Sequence, residues 1–239
     1  RITDYVMMFS PIAVFSAIAS AITLKGPQII IDYSVFIGSF YASLFILWAV
    51  IITVGYIFLK KDVFRLLKTV REPAVLGFAT ASSESAYPKL IVALEKFGVP
   101  KRITSFVLPL GYSFNLDGSM IYMSFAVLFI AQAYNIDLSI SQQILILLTL
   151  MITSKGIAGV SRASLVVIAA TLTMFKLPEA GILLILAVDH FLDMGRTATN
   201  IIGNSVATAV IAKTEGHKVE EGEIVLVQPL TPSEQTNSL

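Results

Sequence analysis

Residues Asp189 to Asn204 read DHFLDMGRTATNIIGN and lie inside an apolar run from about residue 180 to 212. On a helix turning about 100° per residue, Asp189, Asp193, Arg196, Thr197, Asn200 and Asn204 share an arc of roughly 100°. Apart from His190, Thr199, Ser205 and Thr208, the rest of the run is Leu, Ile, Val, Ala, Gly, Met and Phe. A run of about 33 residues is about 50 Å long as a helix, more than a bilayer core needs. The expectation is therefore a membrane helix with one strip of charge and amide. Charged groups at that depth are rare and face a cavity or a partner. A plainer reading is a buried Asp–Arg pair that joins two helices, but such a pair would not need the further polar residues on the same strip.

A second group of polar residues interrupts the apolar run from about 103 to 134. Its middle holds Pro109, Gly111, Asn115, Asp117 and Gly118. Gly and Pro weaken the helical ladder, and Asn and Asp compete for its hydrogen bonds. Unwound backbone is tolerated in lipid only where it is buried or lines a cavity. A discontinuous helix is expected, with carbonyls exposed at NLDG. Carbonyl and carboxylate oxygens are hard ligands suited to a small cation. The alternative is that Asn115 and Asp117 only cap the second half-helix.

The elements that must position these groups follow from the hydropathy pattern. Residues from about 4 to 24 form a first span, in which Pro11 is expected to place a kink. Residues from about 34 to 59 form a second, with Tyr41, Trp48 and Tyr56 available as interface anchors. The basic cluster Lys60, Lys61, Arg65, Lys68 and Arg71 then places the following segment in the cytoplasm. Residues 74–100 carry two apolar arms, each too short to span, around the polar tip Thr80-Ala81-Ser82-Ser83-Glu84-Ser85. This suits a re-entrant hairpin entering from the cytoplasm, or else a surface loop between amphipathic helices. Residues from about 142 to 175 repeat the design around SKGIAGVSRAS, a small-residue tip of the kind a gate needs. Ser83 precedes Asn115 by 32 residues and Gly159 precedes Asp193 by 34. Paired interrupted segments in corresponding positions are the pattern of an inverted-repeat transporter with its site at the midplane.

Composition agrees. The chain has 239 residues, 56% hydrophobic and 14% charged, with mean hydropathy +0.81. About 25% charge is usual for a soluble domain, so an all-α integral membrane protein is expected. Continuous apolar runs argue against the alternating pattern of a β-barrel. A net charge of +1 gives no hint of nucleic acid. With no cysteine there is no thiolate metal site, and His190 and His217 are too far apart for a metal cluster. An intramembrane enzyme using Asp117 and Asp193 as an acid/base pair lacks any supporting His or Cys nucleophile arrangement. A channel, or a truncated non-functional product, remains as a further alternative. The chain starts without Met, and a missing amino-terminal part of a longer protein is expected.

YSFNLDGS at 112–119, SKGIAGV at 154–160 and DMGRTATN at 193–200 resemble the dicarboxylate/amino acid:cation symporters, the glutamate transporter family. The bacterial proton/sodium glutamate-aspartate symporters are nearest in motif, and the likeness extends to about residue 216. It implies a scaffold span at 1–30, the family's fifth. A transport domain follows at 31–213, made of a span at 34–59, an inner hairpin at 66–100, a broken helix at 103–134, an outer hairpin at 139–178 and a substrate-binding helix at 180–213. A cytoplasmic tail covers 214–239. It also implies a multi-pass protein of the cell (inner) membrane, a homotrimer among membrane lipids, an elevator motion, no enzymatic activity and no cofactor beyond a coupling H⁺ or Na⁺.

By the same resemblance, Arg196 binds the side-chain carboxylate of a small acidic substrate, Asp193 its amino group with help from Thr197, and Asn200 its α-carboxylate. Main-chain groups at Ser83, Gly159 and Val160 assist, and Ser119 offers a hydroxyl near Arg196. For cations, the carbonyls of Gly111, Asn115 and Asn200 line one site, with Asn204 beside it. Ser113 with the carbonyls of Ser154, Lys155 and Ile157 lines a second, and Asp117 anchors a third. Na⁺ is the only metal implied, and only if coupling is to sodium. Asp193 with Arg196 favours L-glutamate or L-aspartate, because an unpaired buried carboxylate is costly; a C4-dicarboxylate is the alternative, and pairing of Asp193 with Arg162 would weaken the preference.

Three departures from the family pattern bear on mechanism. Asn204 stands where sodium-coupled members have Asp, which favours proton coupling, with Asp117, Asp189 and Glu84 as candidate proton sites and Met123 where vertebrate members carry a proton-binding Glu. The outer tip reads Gly159-Val160-Ser161-Arg162 in place of GVPG. Arg162 is expected to point to external water, with approach to the substrate carboxylate as the alternative. Ala81 stands where several members have Arg.

Overall fold

In a computed structural model of the chain, residues 26–155 and 162–217 are described, together with Ile12, Phe15, Ser16, Ala19, Ile22 and Thr23. Most of the expected first span, its Pro11 kink, the tip residues Ile157, Gly159, Val160 and Ser161, and the tail from 218 lie outside the described residues. The described residues form helices and contain no strand.

The first long helix, α1 (Gln28–Leu59), runs longer than the span expected from hydropathy. One narrow face is buried through Tyr33, Phe36, Phe40 and Leu44, while Phe45, Ile46 and Ile57 remain more than half exposed. A helix this apolar on its open face suits lipid or protein cover, not water. Two of the expected interface anchors turn inward instead. The Tyr41 hydroxyl donates to the Phe191 carbonyl at 2.6 Å, and the Trp48 indole donates to Thr199 Oγ1 at 2.8 Å.

A short amphipathic helix, α2 (Asp62–Thr69), leads into the first hairpin, α3 (Arg71–Thr80) and α4 (Ser83–Phe97). The arms join through Ala81, in the left-handed region at φ 49°, and Ser82, whose Oγ accepts the Ser85 N–H. They pack on each other, and Lys89 on α4 pairs with Glu72 on α3. The two packed arms and the turn between them make a helical hairpin. Gly98, at φ 108°, closes α4 with a conformation that only Gly adopts readily.

The broken helix is present as α5 (Lys101–Phe114) and α6 (Asp117–Ala133). Asn115 and Leu116 leave helical geometry between them, at φ/ψ of −106°/74° and −111°/53°. The N-cap position of α6 is Leu116 and carries no side-chain cap, so Asn115 and Asp117 do not serve as caps. The second hairpin has arms α7 (Ile140–Thr153) and α8 (Ala163–Met174), which pack together. Ser139 and Gln142 form a reciprocal capping box at the start of α7.

The last helical run is not continuous. A 3₁₀ turn (Glu179–Gly181) and a short α9 (Ile182–Leu186) precede α10 (Asp189–Thr214). Val188, at φ −119°, marks the break, and its N–H reaches the Ile185 carbonyl in a tighter turn. The polar stripe therefore starts at a helix origin instead of mid-helix. Of the 26 residues of α10, 18 are buried, which makes it the axis of the molecule. Its first half joins a core with α1, α6, α7 and α8; its second half joins another with the end of α1, α2, the first hairpin and α5. The first hairpin packs directly on α10, and the second packs on α6, sharing a core with the first half of α10. Gln28–Leu59 and Lys101–Ala133 are long and apolar enough to cross a membrane.

Candidate functional site

The stripe of α10 meets the broken helix where the two cores adjoin. Asp193 and Arg196 lie one turn apart, both buried, and Arg196 Nε donates to Asp193 Oδ1. Arg196 also donates from Nη1 to Ser119 Oγ at 3.1 Å. The same Ser119 oxygen accepts from Asn200 Nδ2 at 2.9 Å, so one hydroxyl ties two residues of the stripe to α6. Asn200 Oδ1 in turn accepts the Gly118 N–H at 2.9 Å. That N–H belongs to the first turn of α6, where backbone donors lack helical partners. An amide on α10 thereby replaces the cap that α6 lacks.

Close approach makes this possible. A Cβ on Gly118 would sit 2.5 Å from the Arg196 carbonyl oxygen. A Cβ on Gly111 would collide with the Asn204 side-chain amide, and one on Gly203 would come within 3.2 Å of Asp117 Oδ2. Glycines on both partners let the broken segment lie against the stripe. Asn115 Nδ2 donates to Asn204 Oδ1 at 3.0 Å; turned over, the Asn115 amide reaches both Asp117 oxygens, at 3.0 and 3.1 Å. Gly111, Asn115, Asp117 and Asn204 thus form a compact oxygen- and amide-rich cluster around the break. Such a donor set is compatible with a small hard cation. Among the described residues no three His, Cys, Asp or Glu side chains gather as a metal site.

The remaining expected residues fall as follows. Thr197 is buried beside Gly77 of the first hairpin, and its hydroxyl has no hydrogen-bond partner. Ser83 is buried at the start of α4, and its carbonyl accepts the Tyr112 hydroxyl at 3.1 Å. Ser154 is buried, with Oγ 3.3 Å from Met120 Sδ. Lys155 was expected to act through its carbonyl, but its side chain donates to the Phe114 carbonyl at 2.8 Å, at the C-terminal end of α5. Ser113 Oγ turns back to the Pro109 carbonyl on its own helix, 3.4 Å away. Glu84 is exposed in the first turn of α4. Gly159, Val160 and Ile157 lie outside the described residues.

Arg162 departs from its expected direction. Its side chain turns inward, with Nε 3.3 Å from Asp189 Oδ2, and its backbone N–H donates to Asp193 Oδ2 at 2.9 Å. Sequence reasoning missed Tyr122, a buried residue whose hydroxyl donates to Asp189 Oδ1, and the Trp48 lock on Thr199. Both are aromatic residues in apolar runs, where nothing in the local pattern distinguishes a polar tip in use from one pointing into the interface.

Open apolar faces around a buried stripe of ions and amides suit a helical protein surrounded by lipid or by further protein. The family comparison agrees: the model of the sodium:dicarboxylate symporter family matches residues 1–214, and the chain belongs to that family. A proton/sodium-glutamate symport protein of Bacillus caldotenax is 46% identical over 221 residues, which cover 92% of this chain and 52% of that protein. A proton/glutamate-aspartate symporter of Escherichia coli (strain K12) is 43% identical over 220 residues, covering 92% and 50%. A C4-dicarboxylate transport protein of Paracoccus denitrificans (strain Pd 1222) is 43% identical over 221 residues, covering 90% and 48%. The chain spans about half the length of these relatives.

Proposed function

We propose that the protein containing this chain is a secondary active symporter that takes up L-glutamate or L-aspartate, coupled to H⁺, Na⁺ or both. The observation that carries this reading is the buried Asp193–Arg196 pair, held by Ser119 and Asn200 against the broken helix. Arg196 receives the substrate side-chain carboxylate, since a guanidinium fork matches two coplanar oxygens. Asp193 receives the ammonium, Thr197 offers its unpartnered hydroxyl, and Asn200 holds the α-carboxylate with main-chain groups of the two hairpin tips. The cluster at Gly111, Asn115, Asp117 and Asn204 holds the coupling cation or proton. Asn204 is neutral, which weakens a cage for Na⁺ and favours the proton.

The hairpins are re-entrant from opposite sides, and the body from about residue 31 to 213 moves as an elevator against a trimeric scaffold in the cell membrane, with the carboxy-terminal tail in the cytoplasm. A second reading, carriage of C4-dicarboxylates, has its own support. Both oxygens of Asp193 already have protein partners, Arg196 and the Arg162 N–H, so a substrate ammonium is not needed to satisfy it. Arg196→Ala in the full-length protein is expected to reduce labelled L-aspartate uptake at least a hundredfold, as loss of a buried charged partner costs about 3–5 kcal/mol. Uptake within threefold of the parent would remove Arg196 from the substrate site.

A further inference from the structure

Asp189 is fully buried at 0% side-chain exposure, one helical turn before Asp193. Its Oδ1 takes the Tyr122 hydroxyl and its Oδ2 faces Arg162 Nε at 3.3 Å. Arg162 sits immediately before α8 in the left-handed region, at φ 65° and ψ 5°. A non-glycine residue is uncommon there and is held only where its surroundings fix it. Here it is fixed at both ends, by its N–H on Asp193 and its guanidinium on Asp189. Two carboxylates and two guanidiniums thus close a neutral array, Asp189–Arg162 and Asp193–Arg196, across one turn of α10 and the second hairpin.

We propose that the Arg162–Asp189 pair is a substrate-selecting element, which sets the net charge of the site and so decides between aminodicarboxylates and dicarboxylates. The proposal rests on the assignment of Asp193 and Arg196 to substrate binding. An acidic amino acid carries net charge −1 at neutral pH, and a fully ionised C4-dicarboxylate carries −2. Within a buried site a charge about one turn away is weakly screened. Removing the Arg162 cation leaves the Asp189 carboxylate uncompensated and disfavours the more negative ligand. Neutralising Asp189 leaves the Arg162 cation in surplus and favours it. Removing both restores neutrality. Arg162→Gly suits the left-handed backbone and retains the N–H on Asp193, so it isolates the side chain.

The test is competition of unlabelled L-aspartate and succinate against labelled L-aspartate binding to the full-length protein. The readout is the ratio of succinate to aspartate half-inhibition constants. Arg162→Gly is expected to raise that ratio about fivefold, Asp189→Asn to lower it about fivefold, and the double variant to return it to within twofold of the parent. Arg162→Lys, which keeps the charge, is expected to leave the ratio within twofold and guards against a variant that fails to fold. Shifts of the same sign in both single variants, or an unchanged ratio in both, would overturn the proposal while leaving the substrate assignment intact. Absence of aspartate binding by the parent protein would instead refute the substrate assignment.

Discussion

Ser119 does more than its size suggests. One hydroxyl accepts from both Arg196 and Asn200, so it fixes the fork that meets a carboxylate and the amide beside it. Ser119→Ala would leave two buried donors short of a partner, at a cost of about 1–3 kcal/mol. A roughly tenfold weaker L-aspartate dissociation constant is expected by calorimetry on the full-length protein; an unchanged constant would show that Arg196 is positioned by other contacts. Much at this level is legible in the sequence, because Asp193, Arg196, Asn200 and Asn204 recur on one helical face. The partners of Asp189 are less so. Tyr122 is 67 residues away in the chain, and its pairing depends on how α6 lies against α10. Arg162 reads as a surface residue because its tip is polar, and only the folded arrangement turns it inward.

The helices meet closely because the broken segment is lined by glycine. A methyl on Gly118 would press on a backbone carbonyl of α10, which cannot swing aside as a side chain can. Gly118→Ala is therefore expected to destabilise by about 1–3 kcal/mol and to separate α6 from the stripe. The expected result is a lower melting temperature for the detergent-solubilised protein together with lost L-aspartate binding; a stable variant with full binding would contradict the packing described. The break itself is legible, since Pro109, Gly111 and NLDG interrupt a long apolar run. The second break, at Val188, is not. No Gly or Pro stands between Ile182 and Asp189, and hydropathy alone reads through it. The interruption is marked by the tight turn from Val188 to Ile185, and it places the buried Asp189 at the start of α10. Acidic groups are favoured at such a helix origin.

Across the whole molecule, α10 joins two cores, each containing one hairpin and one half of the broken helix. This arrangement brings polar groups from distant parts of the chain to one place while lipid-compatible side chains cover the outside. Ile140 and Ile152 on α7 are each about three-quarters exposed, 76% and 75%, which suits a hydrocarbon or protein neighbour. The short apolar arms of the two hairpins and the interrupted helix between them are legible in the sequence. The most direct measurement is accumulation of labelled L-aspartate, L-glutamate and succinate in proteoliposomes carrying the full-length protein, under separate proton and sodium gradients. Accumulation of both amino acids above their external concentration, driven by the proton gradient, is the expected result. Accumulation of succinate alone, or equilibration that ignores both gradients, would contradict acidic amino acid symport; strict dependence on sodium would contradict the role given to Asn204.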